Sequence, residues 1–148
     1  MLMLKLLFLN IVSAVLLISC SKGIKEKELP SIVLNSFETK FIDAVETKWL
    51  KKNNIYEVEF ELTGTEYAAQ IDDGGNIKMF KHEIKQTELP PTVNNEIARQ
   101  YKNFEIDEIE KVERNRDIFF QIELNGKQEQ QLVFTENGRK DTSITYWD

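Results

Sequence analysis

Tyr56-Glu57-Val58-Glu59-Phe60-Glu61-Leu62 alternates apolar and acidic residues without an error. A period of two is the mark of a strand with one face buried and the other wet. The flanks extend the reading. Val45–Lys51 is a plausible preceding strand, and Lys52-Asn53-Asn54 is the turn between them. Thr63-Gly64 then reverses the chain into Tyr67, Ala69 and Ile71, which alternate again. Asp72-Asp73-Gly74-Gly75-Asn76 makes a further turn, and Ile77–Ile84 is the fourth strand. Ahead of the strands, Pro30 opens a helix. Val33, Phe37 and Phe41 fall at i, i+4 and i+8 with Leu34 beside them, one apolar stripe.

The same order of periods returns later in the chain. Glu28-Leu29-Pro30 recurs as Glu88-Leu89-Pro90, and Phe37 and Phe41 as Ile97 and Tyr101. Tyr56, Val58, Phe60 and Leu62 recur as Ile118, Phe120, Ile122 and Leu124, and Gly75 as Gly138. One supersecondary unit used twice is the physical reading. The second copy predicts a helix from Pro90-Pro91 and strands over Ile106–Val112, Ile118–Leu124, Gln128–Phe134 and Ser143–Trp147. The fold class is α+β: two tandem α-β-β-β-β repeats, residues 28–86 and 87–148. Each is a helix packed on a four-stranded antiparallel meander, with the other sheet face left wet.

Residues 1–19 stand apart. Lys5 precedes an apolar run from Leu6 to Ile18, which ends in Leu17-Ile18-Ser19-Cys20. A cationic start, a short apolar stretch and a small residue before the cut read as a secretory signal. The run is shorter than the roughly 20 residues a membrane-spanning helix needs. The terminal Leu-Ile-Ser-Cys resembles a bacterial lipobox, which implies that Cys20 is acylated after cleavage. Cys20 is the sole cysteine, so no disulfide can form within the chain. An ordinary signal peptide with an incidental cysteine is the competing reading. Residues 20–27 are polar, carry no core period and read as a lipidated tether. Ser21 after the cysteine resembles the outer-membrane sorting pattern. The expected location is the bacterial cell envelope, on the periplasmic side of the outer membrane in a diderm.

The formal net charge is -6, and -7 once Lys5 leaves with the signal. An acidic balance argues against a nucleic-acid partner, which requires a basic stripe. It also leaves membrane attachment to Cys20 alone. About 120 residues remain for the fold, enough to bury a core without metal or disulfide.

The pattern Leu29-Pro30, a helix bearing Phe37 and Phe41, Trp49, Tyr56-Glu57-Val58-Glu59-Phe60, Glu66-Tyr67, and Asp72 with Gly75-Asn76 resembles the PepSY-like family of secreted bacterial proteins. That family is similar in architecture to the beta-lactamase inhibitory protein. The resemblance spans residues 28–148 and implies two modules side by side with a continuous concave sheet surface. The second unit departs from it: Ile109 stands near the place of Trp49, Gln130 at that of Tyr67, and Thr135 at that of Asp72. The family offers no catalytic residues to carry over.

Candidate sites follow from what is out of phase. Glu57, Glu59 and Glu61 line one side of a strand, with Glu123 on the matching side of the second unit. They form an acidic docking face, a weak cation site, or a solvated outer face, which alternation alone predicts. Asp72–Asn76 resembles a calcium loop only faintly, because strands flank it and the ligand spacing fails; a glycine hairpin is expected. His82 is the sole histidine, stands among charges and reads as a surface residue. Neither a phosphate loop nor a nucleophile elbow is present, so the chain reads as a non-enzyme with no cofactor. Phe119 is out of phase with Phe120, and Trp147 with Ile144 and Tyr146. They are either contact residues of a binding face or packing at the seam and tail. Trp49 is a third such aromatic or a core residue. The expected function is binding of a protein or peptide partner through the open face, an inhibitor of a secreted hydrolase being one version. A small-molecule or divalent-cation binder using the acidic face is the alternative.

Overall fold

The computed structural model describes residues 22–148. The signal and Cys20 lie outside the described residues. The strands are β1 (Lys22–Ile24), β2 (Val45–Lys52), β3 (Ile55–Leu62), β4 (Thr65–Asp72), β5 (Ile77–Glu83), β6 (Glu105–Arg114), β7 (Asp117–Asn125) and β8 (Gln130–Thr135). The helices are α1 (Ser31–Lys40) and α2 (Pro91–Gln100), each preceded by a 3-10 turn, Glu26–Glu28 and Gln86–Glu88. All eight strands form one antiparallel sheet in strict chain order. Two-residue turns join β2 to β3, β3 to β4 and β6 to β7 and leave those strands no neighbour but the next, four-residue turns join β4 to β5 and β7 to β8, and the β1–β2 and β5–β6 pairings are made across the helices.

Both helices lie on the same face of this sheet. In the first half, Val33 and Phe37 of α1 and Phe41 after it pack with Trp49, Tyr56, Val58, Phe60, Ala69 and Ile71. In the second, Val93 and Ile97 of α2 pack with Ile109, Phe120, Ile122, Leu124, Leu132 and Phe134. The first core is largely aromatic. Phe37 meets Trp49 edge-on at 5.1 Å and Phe60 at 5.0 Å, a favoured ring geometry. The second core is largely aliphatic, and the place of Trp49, opposite Val58, is taken there not by the expected Ile109 but by Lys111, opposite Phe120.

The halves share local detail as well. A bulge interrupts β2 between Val45 and Lys48, and another interrupts β6 between Ile106 and Glu108. Gly75 and Gly138 both take left-handed φ, 79° and 80°. A Cβ on Gly75 would stand 2.9 Å from the Ile32 carbonyl oxygen, and one on Gly138 2.7 Å from that of Thr92. Each glycine therefore lets a hairpin press against the first turn of the helix of its own half. The Asp72 carboxylate locks the first hairpin by accepting from the amides of Gly74 (3.0 Å) and Asn76 (2.8 Å). This is the expected glycine turn.

Three expectations are corrected. Of residues 20–27, read as a tether, 22–27 are built into the fold: β1 pairs with β2 from Lys22↔Lys51 to Ile24↔Trp49. Ser143–Trp147 is not a strand. Lys140 still bridges Phe134, but β8 is followed by no further ladder, and the chain turns onto the sheet face instead. The second half thus carries three strands after its helix where the first carries four. Counted from the strand before each helix, the element order reads β-3-10-α-β-β-β twice. β5 serves both halves: it leads the second and lends Ile77 and Phe80 to the first core.

Gly75→Ala and Gly138→Ala should each lower stability by at least about 1–2 kcal/mol, the cost of forcing a Cβ into left-handed backbone, with the overlap added. Urea unfolding of the two variants checks this, and a loss under 0.5 kcal/mol at either site would contradict the close approach.

Candidate functional site

Alternation puts Glu57, Glu59 and Glu61 on the face that no helix covers. Register carries that face across the sheet: Glu57 pairs with Gln70, Ala68 with Lys81, Glu83 with Glu110, and Glu110 with Gln121. A face of this kind is normally wet. Here its middle is not. Glu57 is 7 % exposed, Glu110 8 % and Gln121 2 %, and Val112 and Val133 on the same side are buried too.

The cover is the chain's own C-terminus. The indole N–H of Trp147 donates to Glu57 Oε2 at 3.1 Å. Its backbone N–H donates to Gln121 Oε1 at 2.9 Å, and its carbonyl accepts from Gln121 Nε2 at 2.9 Å and Lys81 Nζ at 2.7 Å. The Lys81 ammonium also stands 5.0 Å from the Trp147 ring and 2.9 Å from Glu110 Oε1. Glu110 Oε2 accepts from Gln121 Nε2 at 3.0 Å. Glu57 is further held by Gln70 Nε2 at 3.0 Å and Lys52 Nζ at 3.2 Å. Every buried charge in this cluster has a partner, which is the condition for its burial. The cluster straddles the halves, with Glu57 on β3, Lys81 on β5, Glu110 on β6 and Gln121 on β7.

Beside it lies a shallow depression of about 270 Å³, lined largely by carboxylates that include Glu46, Glu59, Glu61, Glu66, Glu83 and Glu108. Burial, then the charge of Glu110, push the Glu108 carboxyl above the usual range. Tyr146 sits against the same group of charges. Its hydroxyl is buried without a hydrogen-bond partner. Burial first, then Glu110, Glu108 and Glu123, push its pKa up.

The site residues read from sequence separate on this geometry. Trp147 is 7 % exposed and is tail packing rather than a free contact residue. Trp49 belongs to the helix-side core, with its indole N–H enclosed and unpaired. Glu57 is a buried acceptor, Glu59 is exposed opposite Lys48 and Ala68, and Glu61 is half-buried opposite Glu66. Phe119 is half-buried on the open face beside Val112. Lys81, Glu110 and Gln121 were not singled out by sequence, since polar residues in that phase look ordinary. The missed signal was Val112 and Val133, apolar residues in the wet phase. Among the described residues no group of three or more His, Cys, Asp or Glu side chains is placed to hold a metal ion.

His82 is not a plain surface residue. It lies on the helix side, half-buried and stacked on Tyr67 at 4.6 Å, with Nδ1 enclosed and unpartnered. Burial first, then the charge of Lys111, lower its pKa from 6.5, while Glu113, Glu88 and Glu110 oppose the shift.

The family model described as "Putative beta-lactamase-inhibitor-like, PepSY-like" matches residues 18–79 and again residues 54–140. The chain belongs to the PepSY-like family. Solved structures share the fold. A DUF2874 family protein from Bacteroides uniformis superposes with a TM-score of 0.70 at 19% identity, over 75% of this chain and 85% of that one. A protein from Bacteroides eggerthii described as periplasmic gives 0.71 at 16% identity, over 76% and 85%. A BLIP-like protein from Bacteroides fragilis gives 0.68 at 20% identity, over 80% and 92%. No curated protein matches the chain significantly.

Lys81→Met strips buried Glu110 of its cation and leaves it only the Gln121 amide, which should cost about 3–5 kcal/mol. Lys81→Met with Glu110→Gln should lose less than the sum of the two single changes in a denaturant double-mutant cycle; losses that simply add would mean the pair is not coupled. For His82, a folded-state pKa below the unfolded value means the unfolded chain binds the proton first. Its contribution is whole above about pH 6.5 and is lost as pH falls through the depressed folded value. Melting temperature should therefore drop from pH 7 to pH 5, and His82→Phe should flatten that drop; an unchanged slope counts against the buried ring.

Proposed function

We propose that this PepSY-like protein is a non-enzymatic, lipid-anchored component of a bacterial cell envelope that binds a protein or peptide partner through the helix-free sheet face. The observation that carries this reading is the face itself. Both helices pack on the opposite side, and the free side carries a carboxylate-lined depression and, across Val112 from Lys81 at its rim, half-buried Phe119. The likeness to a BLIP-like structure supports a protein partner, with inhibition of a secreted hydrolase as the concrete version. The likeness to a protein described as periplasmic supports the envelope. Residues 28–86 and 87–148 act as the two units of one surface, with Glu59 and Glu61 at its acidic margin. Anchoring rests on the lipobox-like Leu17-Ile18-Ser19-Cys20. Several acyl chains on Cys20 would hold the domain stably, since each buried methylene adds about 0.8 kcal/mol.

Cys20→Ser should move the protein from the membrane to the soluble fraction on fractionation, and continued membrane association would remove the anchor. Cross-linking in the native envelope should capture a partner protein, and Phe119→Ala should weaken that capture at least tenfold with the melting temperature nearly unchanged. Undiminished capture would make Phe119 structural and send the search to another surface.

A further inference from the structure

The open face already holds a peptide, and the way it is held has consequences. Glu57, Lys81 and Gln121 together satisfy every polar group of a tryptophan residue: the indole N–H, the main-chain N–H and the main-chain carbonyl. The groups that do so are pre-placed on strands of both halves and braced by Gln70 and Glu110. Beyond the tryptophan the ties are few: Asp148 Oδ1 accepts from Gln131 Nε2 of β8 at 3.2 Å. Among the described residues, no main-chain hydrogen bond joins residues 142–148 to any strand; the last such bond is from Asp141 N to the Val133 carbonyl. The residue before the tryptophan fits badly. The Tyr146 hydroxyl is buried unpartnered, and Glu108, Glu110, Glu123 and Asp148 are the charges that act on it. A cation at that position would answer carboxylates that a phenol cannot.

We propose that the slot formed by Glu57, Lys81, Glu110 and Gln121 recognises an extended segment of a partner protein in which a basic residue precedes a tryptophan, and that Trp147 holds the slot until that segment displaces it. The proposal rests on the open-face binding reading and names its partner's chemistry. Charge complementarity sets the preference, because the depression that adjoins the slot through Lys81 and Glu110 is acidic. The tail is then an internal stand-in: correct at the tryptophan and wrong beside it, which is what lets it be exchanged. Opposite charges at the second position change the difference in affinity between tail and partner without altering the tryptophan contacts.

The test uses the full chain labelled with 5-fluorotryptophan, which gives one 19F resonance for Trp49 and one for Trp147. Trp49, buried in the helix-side core, reports whether the fold is intact. The hexapeptide Ser-Ile-Thr-Lys-Trp-Asp should move the Trp147 resonance to its solvent-exposed position and leave that of Trp49 in place. The native tail sequence Ser-Ile-Thr-Tyr-Trp-Asp should need at least ten times the concentration. Gln121→Ala should abolish the preference for tryptophan over alanine in the peptide. In the Trp147→Ala chain, where the slot is vacant, the lysine peptide should bind tighter than in the wild type. A second variant does not depend on that chain folding. Tyr146→Lys should raise the melting temperature and make Trp147 harder to displace, and a fall would overturn the preference for a basic residue. If the Trp147 resonance stays fixed at millimolar lysine peptide, the slot is a structural clasp and the proposal fails. Phe119-dependent capture of an envelope partner alongside that failure would leave the broader open-face reading standing.

Discussion

The pairing of β5 with β6 is the joint on which the molecule depends. Through Met79↔Arg114 to Glu83↔Glu110 it makes one sheet out of two helix-backed halves. Without it, each half would present an unpaired edge, a template for unwanted association. With it, Lys81 and Glu110 come within 2.9 Å, and Glu57 and Gln121 lie to either side of them. A buried ion pair is weak evidence for stability but fixes register well where only one pairing satisfies it. Here the pair sits at the seam, where register between the halves must be chosen.

The two faces of this sheet solve different problems. The helix side buries apolar surface in two cores, one rich in rings and the other in branched aliphatics. The opposite side buries charge, and it can do so only because each group is met. Glu57 has three donors in Lys52, Gln70 and Trp147. The two tryptophans illustrate the contrast. Trp49 gains its stability from ring packing and leaves its N–H unpaired. Trp147 is held mainly by its polar atoms.

Most of the meander was legible in the sequence. Strict alternation in Tyr56–Leu62, and the same period broken only at Phe119 in Ile118–Leu124, showed which face is buried, and the stripes through Val33 and Val93 showed the helices. Gly75 and Gly138 stood out by recurrence, and each proves to be a contact that only glycine permits. The slot was not legible. Glu57, Glu59 and Glu61 share one pattern, yet only Glu57 is fully buried, because burial there comes from a tail distant in sequence. No periodicity encodes where an irregular segment lands. Nor does a three-residue edge strand such as Lys22–Ile24 carry enough residues to show a period, which is why the start of the fold reads as a linker.

That short edge strand changes the mechanics of attachment. At no more than about 3.6 Å per residue, an acyl group on Cys20 would sit within roughly 7 Å of the first hydrogen-bonded residue of the sheet. Mounted there as proposed, the domain would carry a single residue, Ser21, between its anchor and the β1–β2 edge, and partners would meet its open side close to the bilayer.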